Sequence, residues 1–175
     1  MANYYNKILV PYDGSKPSDN ALSHAIRIAN MGKISSADNS NVQVILMHVI
    51  QEIPIPASFG TTGHTNLVSS ITGDKITLRE HIKELYQEMK SDATKMLDEK
   101  VKKYQNVKGE GEKVTIRTKV LIGSITDKII EFANQEKVDL IIMGTTGLGG
   151  FAKILLGSVA RSVSEKAKCP VMLVR

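Results

Sequence analysis

Two glycine-containing segments of the sequence combine residue types that suit the binding of phosphate. Segment 144–158 has five glycines and ends on the hydroxyl of Ser158, where a helical pattern begins. Glycines allow a ligand to approach the backbone, and the N–H groups and dipole of a helix N-terminus attract an anion. Segment 11–15 adds a carboxylate, Asp13, beside a glycine. These residues predict an anion site, although the glycines also suit plain turns and Asp13 also suits a turn cap.

Two other phosphate motifs fit segment 144–158 poorly. The Walker motif requires Gly-Lys followed by Ser or Thr, a run that the chain does not contain. The dinucleotide fingerprint matches Gly147, Gly149 and Ala152, but it requires an acidic residue about 20 positions further on, in the next strand. Residues 171–174 are all apolar there. We therefore predict neither a P-loop NTPase nor a dinucleotide site.

Apolar runs and helical patterns alternate along the chain and would position both segments. Short apolar runs and one period-two pattern predict strands at 8–10, 42–50, 114–120, 138–143 and 171–174. Apolar residues at helical spacing predict helices over 15–30, 78–104, 124–133 and 158–167. This alternation favours one α/β domain over 1–175, a doubly wound parallel sheet with helices on both faces. In such folds ligands bind beyond the carboxyl ends of strands, where both segments lie.

Two local patterns add further predictions. Ser124 followed by Asp127 has the spacing of a capping box at the start of a helix. Residues 52–75 interrupt the alternation with many Pro, Gly, Ser and Thr residues. A loop of this length in a compact domain is typically functional or mobile.

Composition restricts the class of protein without identifying a ligand. The 175 residues are 42% hydrophobic and 23% charged, which is typical of a globular domain. The single Cys, residue 169, excludes an intramolecular disulfide and fits a reducing compartment. No apolar run is long enough for a transmembrane helix, so we expect a cytoplasmic protein without a membrane partner. The net charge of +5 admits an anionic partner, but 5% aromatic residues and no Trp argue against nucleic-acid stacking.

Five blocks of the sequence resemble the universal stress protein family, in its nucleotide-binding branch. That branch carries Gly-x2-Gly-x9-Gly followed by Ser or Thr, which matches Gly144, Gly147 and Gly157-Ser158. The other matching blocks are 7–15, 18–22, 46–49 and 169–175, in the order that the family has them. The resemblance therefore covers essentially the whole chain.

The resemblance implies a Rossmann-like sheet of five parallel strands in the order 3-2-1-4-5. It also implies an ATP site, or an ADP or AMP site, with Asp13 beside the ribose and phosphates and the Val49 backbone at the adenine edge. The residues that it assigns to the nucleotide are Pro11, Asp13, Val49, Met143, Gly144, Gly147, Gly157, Ser158 and Val159. The resemblance leaves open whether a cation, Mg²⁺ or Mn²⁺, is bound by the phosphates together with Asp13. Residues 52–75 follow the strand that would meet adenine, so a lid is expected there.

The function that the resemblance implies is a ligand-dependent switch in stress response or signalling. No residue set assembles a general base with a positioned water, so efficient catalysis is not expected. A slow ATPase or autophosphorylating enzyme is one alternative, and a nucleotide-independent homodimeric interaction protein is another. With the family's strand order, Val171–Val174 is an apolar edge strand that must be covered, which predicts a homodimer across it.

Overall fold

The computed structural model describes residues 5–34, 42–54, 67–69, 71–73, 75–106, 114–147 and 156–175. In chain order the elements are β1 (Lys7–Pro11), α1 (Lys16–Ile34), β2 (Gln43–Gln51), β3 (Leu67–Val68), β4 (Lys75–Ile76), α2 (Leu78–Asn106), β5 (Thr115–Gly123), α3 (Ile125–Gln135), β6 (Leu140–Gly144), α4 (Ser158–Lys166) and β7 (Val171–Val174). Five strands form a parallel sheet in the order β5-β2-β1-β6-β7. Counted within this sheet alone, the order is 3-2-1-4-5, so the predicted fold is confirmed.

Helices cover both faces of the sheet and bury two apolar cores. Helices α1 and α2 pack on one face, in a buried cluster that includes Ile8 and Val10 of β1 and Leu97 of α2. Helices α3 and α4 pack on the other face, in a buried cluster that includes Leu9 and Phe132. A strand buried on both faces has no polar side, which explains the unbroken apolar run of β1. None of the helices described is long and apolar enough to cross a membrane.

A capping box forms at the start of α2 and not at the start of α3. The N–H and Oγ1 of Thr77 both donate to Glu80 Oε2 at 2.8 Å, and the Glu80 N–H donates to Thr77 Oγ1 at 3.3 Å. The bond from the Thr77 N–H is the main cause that holds the pKa of Glu80 below its usual value. Ser124 is the N-cap of α3, but its side chain makes no capping hydrogen bond. The prediction of a Ser124–Asp127 box is therefore wrong, because in a box the Ser side chain accepts an N–H of the first turn.

Part of the predicted loop 52–75 forms an antiparallel pair, β3 and β4, that rests on α2. Ser69 Oγ donates to Glu84 of α2 and accepts the N–H groups of Ile71 and Thr72. Closer to β2, the Ile53 N–H donates to Tyr86 Oη of the same helix at 2.7 Å. Both ends of this segment are thus tied to α2. Residues 55–66 lie outside the described residues, so the lid stays a prediction.

The core between α2 and the sheet can be tested with Leu97→Ala. We expect the free energy of unfolding to fall by about 2–5 kcal/mol, because the lost side chain leaves a cavity. Leu97 is fully buried, whereas Met89 on the same helix is 41% exposed. Met89→Ala is therefore the control, with a change of about 0.5 kcal/mol or less. Denaturant unfolding followed by circular dichroism measures both, and a Leu97→Ala protein as stable as wild type would contradict this packing.

Candidate functional site

A crevice opens between the carboxyl ends of β1 and β6, where the strand order reverses. The chain leaves β1 towards α1 on one face of the sheet and leaves β6 towards α4 on the other face. Such a reversal leaves a gap above the sheet in which ligands bind. A cavity of about 370 Å³ occupies it, lined by the ends of β1, β2 and β6 and the first turns of α1, α3 and α4.

The structure brings all the residues that the resemblance assigned to a nucleotide to this one cavity. They are Pro11, Asp13, Val49, Met143, Gly144, Gly147, Gly157, Ser158 and Val159. They come from three strands, from the loops that follow β1 and β6, and from the start of α4, so only the fold places them together. Their contact with a nucleotide stays a prediction.

Asp13 lies between the loop that follows β1 and the loop that follows β6. Its Oδ1 accepts the Ser15 N–H at 3.0 Å, which closes a tight turn. Gly14 lies within that turn at φ +84°, a conformation that favours glycine. The other carboxylate oxygen, Oδ2, is so close to Gly147 that a Cβ there would lie 2.6 Å away. Asp13 therefore caps its own turn and also faces the second loop.

The second loop lies close to the backbone of α1 and then turns into α4. A Cβ at Gly144 would lie 2.8 Å from Pro17 Cβ and 3.1 Å from the Ser18 nitrogen. The Gly157 N–H donates to the Thr145 carbonyl at 2.7 Å, which brings the start of α4 back to the end of β6. Helix α4 begins without a side-chain cap. The first N–H groups of a helix have no acceptor within it, so this end of the cavity suits an anion.

The strand register directs the backbone of Val49 towards the cavity. The Tyr12 N–H donates to the Met47 carbonyl at 2.7 Å, just past the last paired residue of β1, Pro11. The N–H and carbonyl groups of alternate residues in a strand point to the same side. Those of Val49 therefore point, like those of Met47, to the side on which β1 lies. Because β1 has ended there, the Val49 N–H and carbonyl face the crevice and not a strand.

Tyr12 and His48 also line the cavity, and the sequence analysis did not identify them. The Tyr12 phenol donates to Asp19 Oδ1 at 2.7 Å. Burial and then this bond raise the pKa of Tyr12 to about 12. His48 Nδ1 lies 2.8 Å from the Tyr12 carbonyl oxygen. Because a carbonyl only accepts, Nδ1 is the nitrogen that carries the proton. No sequence pattern signals either contact, since each depends on the packing of separate elements.

The charges of the cavity are few. Among the described lining residues, Asp13 is the one carboxylate and no Lys or Arg is present. Within the described ranges, no group of three or more His, Cys, Asp or Glu side chains is placed to hold a metal ion. A phosphate in this cavity would thus have no cationic side chain of the described lining beside it, and backbone N–H groups and the hydroxyls of Thr145, Thr146 and Ser158 would be near it.

Comparison with known proteins points to one family. The sequence model of the universal stress protein family matches residues 4–175. Universal stress protein MJ0531 of Methanocaldococcus jannaschii is 36% identical over 173 residues, covering 99% of this chain and 84% of the relative. The solved structure of universal stress protein UspA from Lactobacillus plantarum has a TM-score of 0.74 at 19% identity and covers 99% of both chains.

Two other solved structures with this fold contain an adenine nucleotide. A universal stress protein family protein from Arabidopsis thaliana with AMP bound has a TM-score of 0.55 at 17% identity, covering 97% of this chain and 90% of that chain. A universal stress protein in complex with cAMP has a TM-score of 0.52 at 20% identity, covering 99% and 98%. At these identities the likeness shows the fold alone.

The environment of Tyr12 can be tested by titration. A phenol whose pKa is raised on folding stabilises the fold below its unfolded pKa, and this contribution is lost as the pH rises from about 10 to about 12. We expect phenolate absorbance to show an ionisation near pH 12 that Tyr12→Phe removes. Tyr86→Phe, away from the cavity, is the control and should leave that ionisation in place. An ionisation near pH 12 that persists in Tyr12→Phe would show that Tyr12 is not the phenol whose pKa is raised.

Proposed function

The chain belongs to the universal stress protein family, and from that premise we propose that it binds an adenine nucleotide in the cavity between β1 and β6. The nucleotide we propose is ATP, with ADP and AMP as related ligands. Binding would act as a switch in cytoplasmic stress response or signalling, because a ligand shared by two loops favours the conformation that holds them together. The observation that carries the proposal is the convergence of the residues that the resemblance assigns on a single cavity.

The geometry supports a nucleotide whose adenine lies on the Val49 side of the cavity and whose phosphates lie on the side of α4. The Val49 N–H and carbonyl offer one donor and one acceptor, which matches an adenine edge that presents an amino group beside a ring nitrogen. At the other wall, the start of α4 and the hydroxyl of Ser158 suit the phosphates. Asp13 lies between the two loops, where a ribose would connect base and phosphates.

A divalent cation fits this site only together with the phosphates. Asp13 alone offers too few ligands to hold Mg²⁺ or Mn²⁺. Mg²⁺ is, however, commonly bound by one or two carboxylates plus the phosphates of a substrate. Such a cation would also offset the repulsion between Asp13 and a phosphate. The AMP and cAMP complexes of other family members support the adenine nucleotide class without specifying the number of phosphates.

The nucleotide proposal is tested by calorimetry with ATP, ADP, AMP and cAMP, each with and without Mg²⁺. We expect the wild type to bind and Asp13→Ala to bind at least about tenfold more weakly, since a hydrogen bond to a charged group is lost. Asp92→Ala is the matched control, because Asp92 is an exposed carboxylate on α2 outside the cavity. A wild type that binds none of the four, or an Asp13→Ala protein that binds as wild type does, would overturn the proposal.

The same samples test the enzymatic alternative. Repeated turnover of ATP that Asp13→Ala abolishes would favour a slow ATPase, and transfer of phosphate to the protein would favour autophosphorylation. Binding without turnover is the outcome expected for a switch.

We also propose a homodimer through β7. This strand is one edge of the sheet, and its Met172 and Leu173 are 37% and 36% exposed. The opposite edge, β5, carries the exposed cations Arg117 and Lys119, which discourage pairing with another sheet. Strand β7 is therefore the edge that a second copy of the chain fits better.

Sedimentation tests the dimer. The double variant Met172→Lys with Leu173→Lys is expected to sediment as a monomer, because two charges on the edge strand would be buried at the interface. Met31→Lys is the control, since Met31 is 68% exposed and belongs to α1, not to the edge strand β7. A double variant that remains dimeric would locate the interface elsewhere, and a monomeric wild type would refute the dimer.

A further inference from the structure

Helix α2 contributes no residue to the described lining of the cavity, yet it touches the loop that follows β1. Met96 Sδ lies 3.5 Å from the position that a Cβ would take on Gly14. One helical turn later, Lys100 Nζ lies 2.6 Å from Asp19 Oδ1 and 5.7 Å from the centre of the Tyr12 ring. The helix therefore reaches the loop that holds Asp13 at two successive turns.

Lys100 and Tyr12 converge on one oxygen of Asp19. The Tyr12 phenol donates to the same Oδ1, at 2.7 Å, that Lys100 contacts. Burial of Asp19 opposes its ionisation, but the bonds from Lys100 and Tyr12 outweigh burial and lower the pKa of Asp19. The side chains of Lys100 and Asp19 are 21% and 38% exposed, so solvent screens this pair less than an exposed one. The carboxylate thus stays charged and holds both partners.

The backbone of Tyr12 is fixed at the cavity while its side chain is held by the helices. Its N–H donates to the Met47 carbonyl of β2, and its carbonyl accepts from His48 Nδ1 at 2.8 Å. The next residue is Asp13, whose carboxylate faces Gly147. Tyr12 thus joins the contact with Asp19 and Lys100 to the peptide that carries Asp13, so a force on its ring can act on that peptide.

We propose that Lys100 and Asp19 are positioning residues for the cavity, so that α2 sets the affinity for a ligand which it does not touch. Lys100 orients Asp19, Asp19 holds the Tyr12 ring, and Tyr12 places Asp13 opposite Gly147. The inference rests on the proposed function in taking an adenine nucleotide as the ligand. Because coupling is reciprocal, a bound nucleotide would tighten the contact between α2 and α1 by the same factor.

The experiment compares three variants of α2 by calorimetry with the nucleotide that the wild type binds best. Lys100→Met keeps the length of the side chain but removes its charge, and we expect the dissociation constant to rise at least about fivefold. Lys100→Arg keeps the charge and should restore most of the affinity. Lys95→Met is the matched control, because Lys95 forms an exposed pair with Asp92 on the same helix, with side chains 69% and 71% exposed.

A second measurement reads the loop directly and needs no nucleotide. The Ser15 N–H donates to Asp13 Oδ1, so its hydrogen exchange reports whether Asp13 keeps its place. We expect Lys100→Met to accelerate exchange at Ser15 relative to the Asp139 N–H, which donates to the Lys7 carbonyl at the other end of the sheet. A general loss of stability would accelerate both amides together.

Each result decides the inference. If the wild type binds nucleotide and Lys100→Met binds equally well, or if affinity falls while Ser15 exchange is unchanged, the inference is overturned and the proposed function stands. If the wild type binds no nucleotide, the proposed function fails, and Ser15 exchange alone supports or overturns the positioning role. Should Lys100→Met fail to fold, Asp19→Asn, which removes the charge but keeps an acceptor for Tyr12, must produce the same two changes.

Discussion

At Gly144 the carboxyl end of β6 passes the first turn of α1 with no room for a methyl group. An added Cβ would lie 2.8 Å from Pro17 Cβ and 3.0 Å from the Pro17 carbonyl carbon. Part of this contact is with backbone, which cannot turn aside as a flexible side chain can. The approach brings the end of β6 beside the loop of Asp13, so both walls of the cavity depend on it.

The polar groups of the cavity include backbone N–H and carbonyl groups beside a single described carboxylate, Asp13. The edge of β2 beyond the end of β1 and the uncapped start of α4 supply donors and acceptors whatever side chains surround them. At Gly147 the sequence is restricted by Asp13, because a Cβ there would lie 2.6 Å from Asp13 Oδ2. Lys100 and Asp19 contact Tyr12 from outside the described lining of the cavity. The proposed binding groups and the proposed positioning residues thus lie in different parts of the fold.

The sequence predicts the sheet well because burial on both faces leaves a plain signal in β1, β2 and β6, whose residues are nearly all apolar. The strand order and the site residues came from the resemblance, because periodicity does not show which strands are neighbours. The capping box was misplaced because spacing alone does not show whether the hydrogen bonds of a box form, as they do between Thr77 and Glu80 and not at Ser124. The link from Lys100 to Tyr12 has no sequence signal, since it depends on how α2 packs against α1.

The parallel pairing of β1 with β6 has a consequence for synthesis on the ribosome. Strand β1 aligns Ile8 with Leu140, and the Thr145 N–H after β6 donates to the Val174 carbonyl of β7. In a nascent chain β1 can pair with β2 early, but the other edge of β1 stays unpaired until β6 has been made. Contacts so distant along the chain are slow to form, because the intervening segment must be closed into a loop first. The crevice cannot form before β6 has been made, and a ligand that fills it would favour chains that contain β6 over shorter nascent ones.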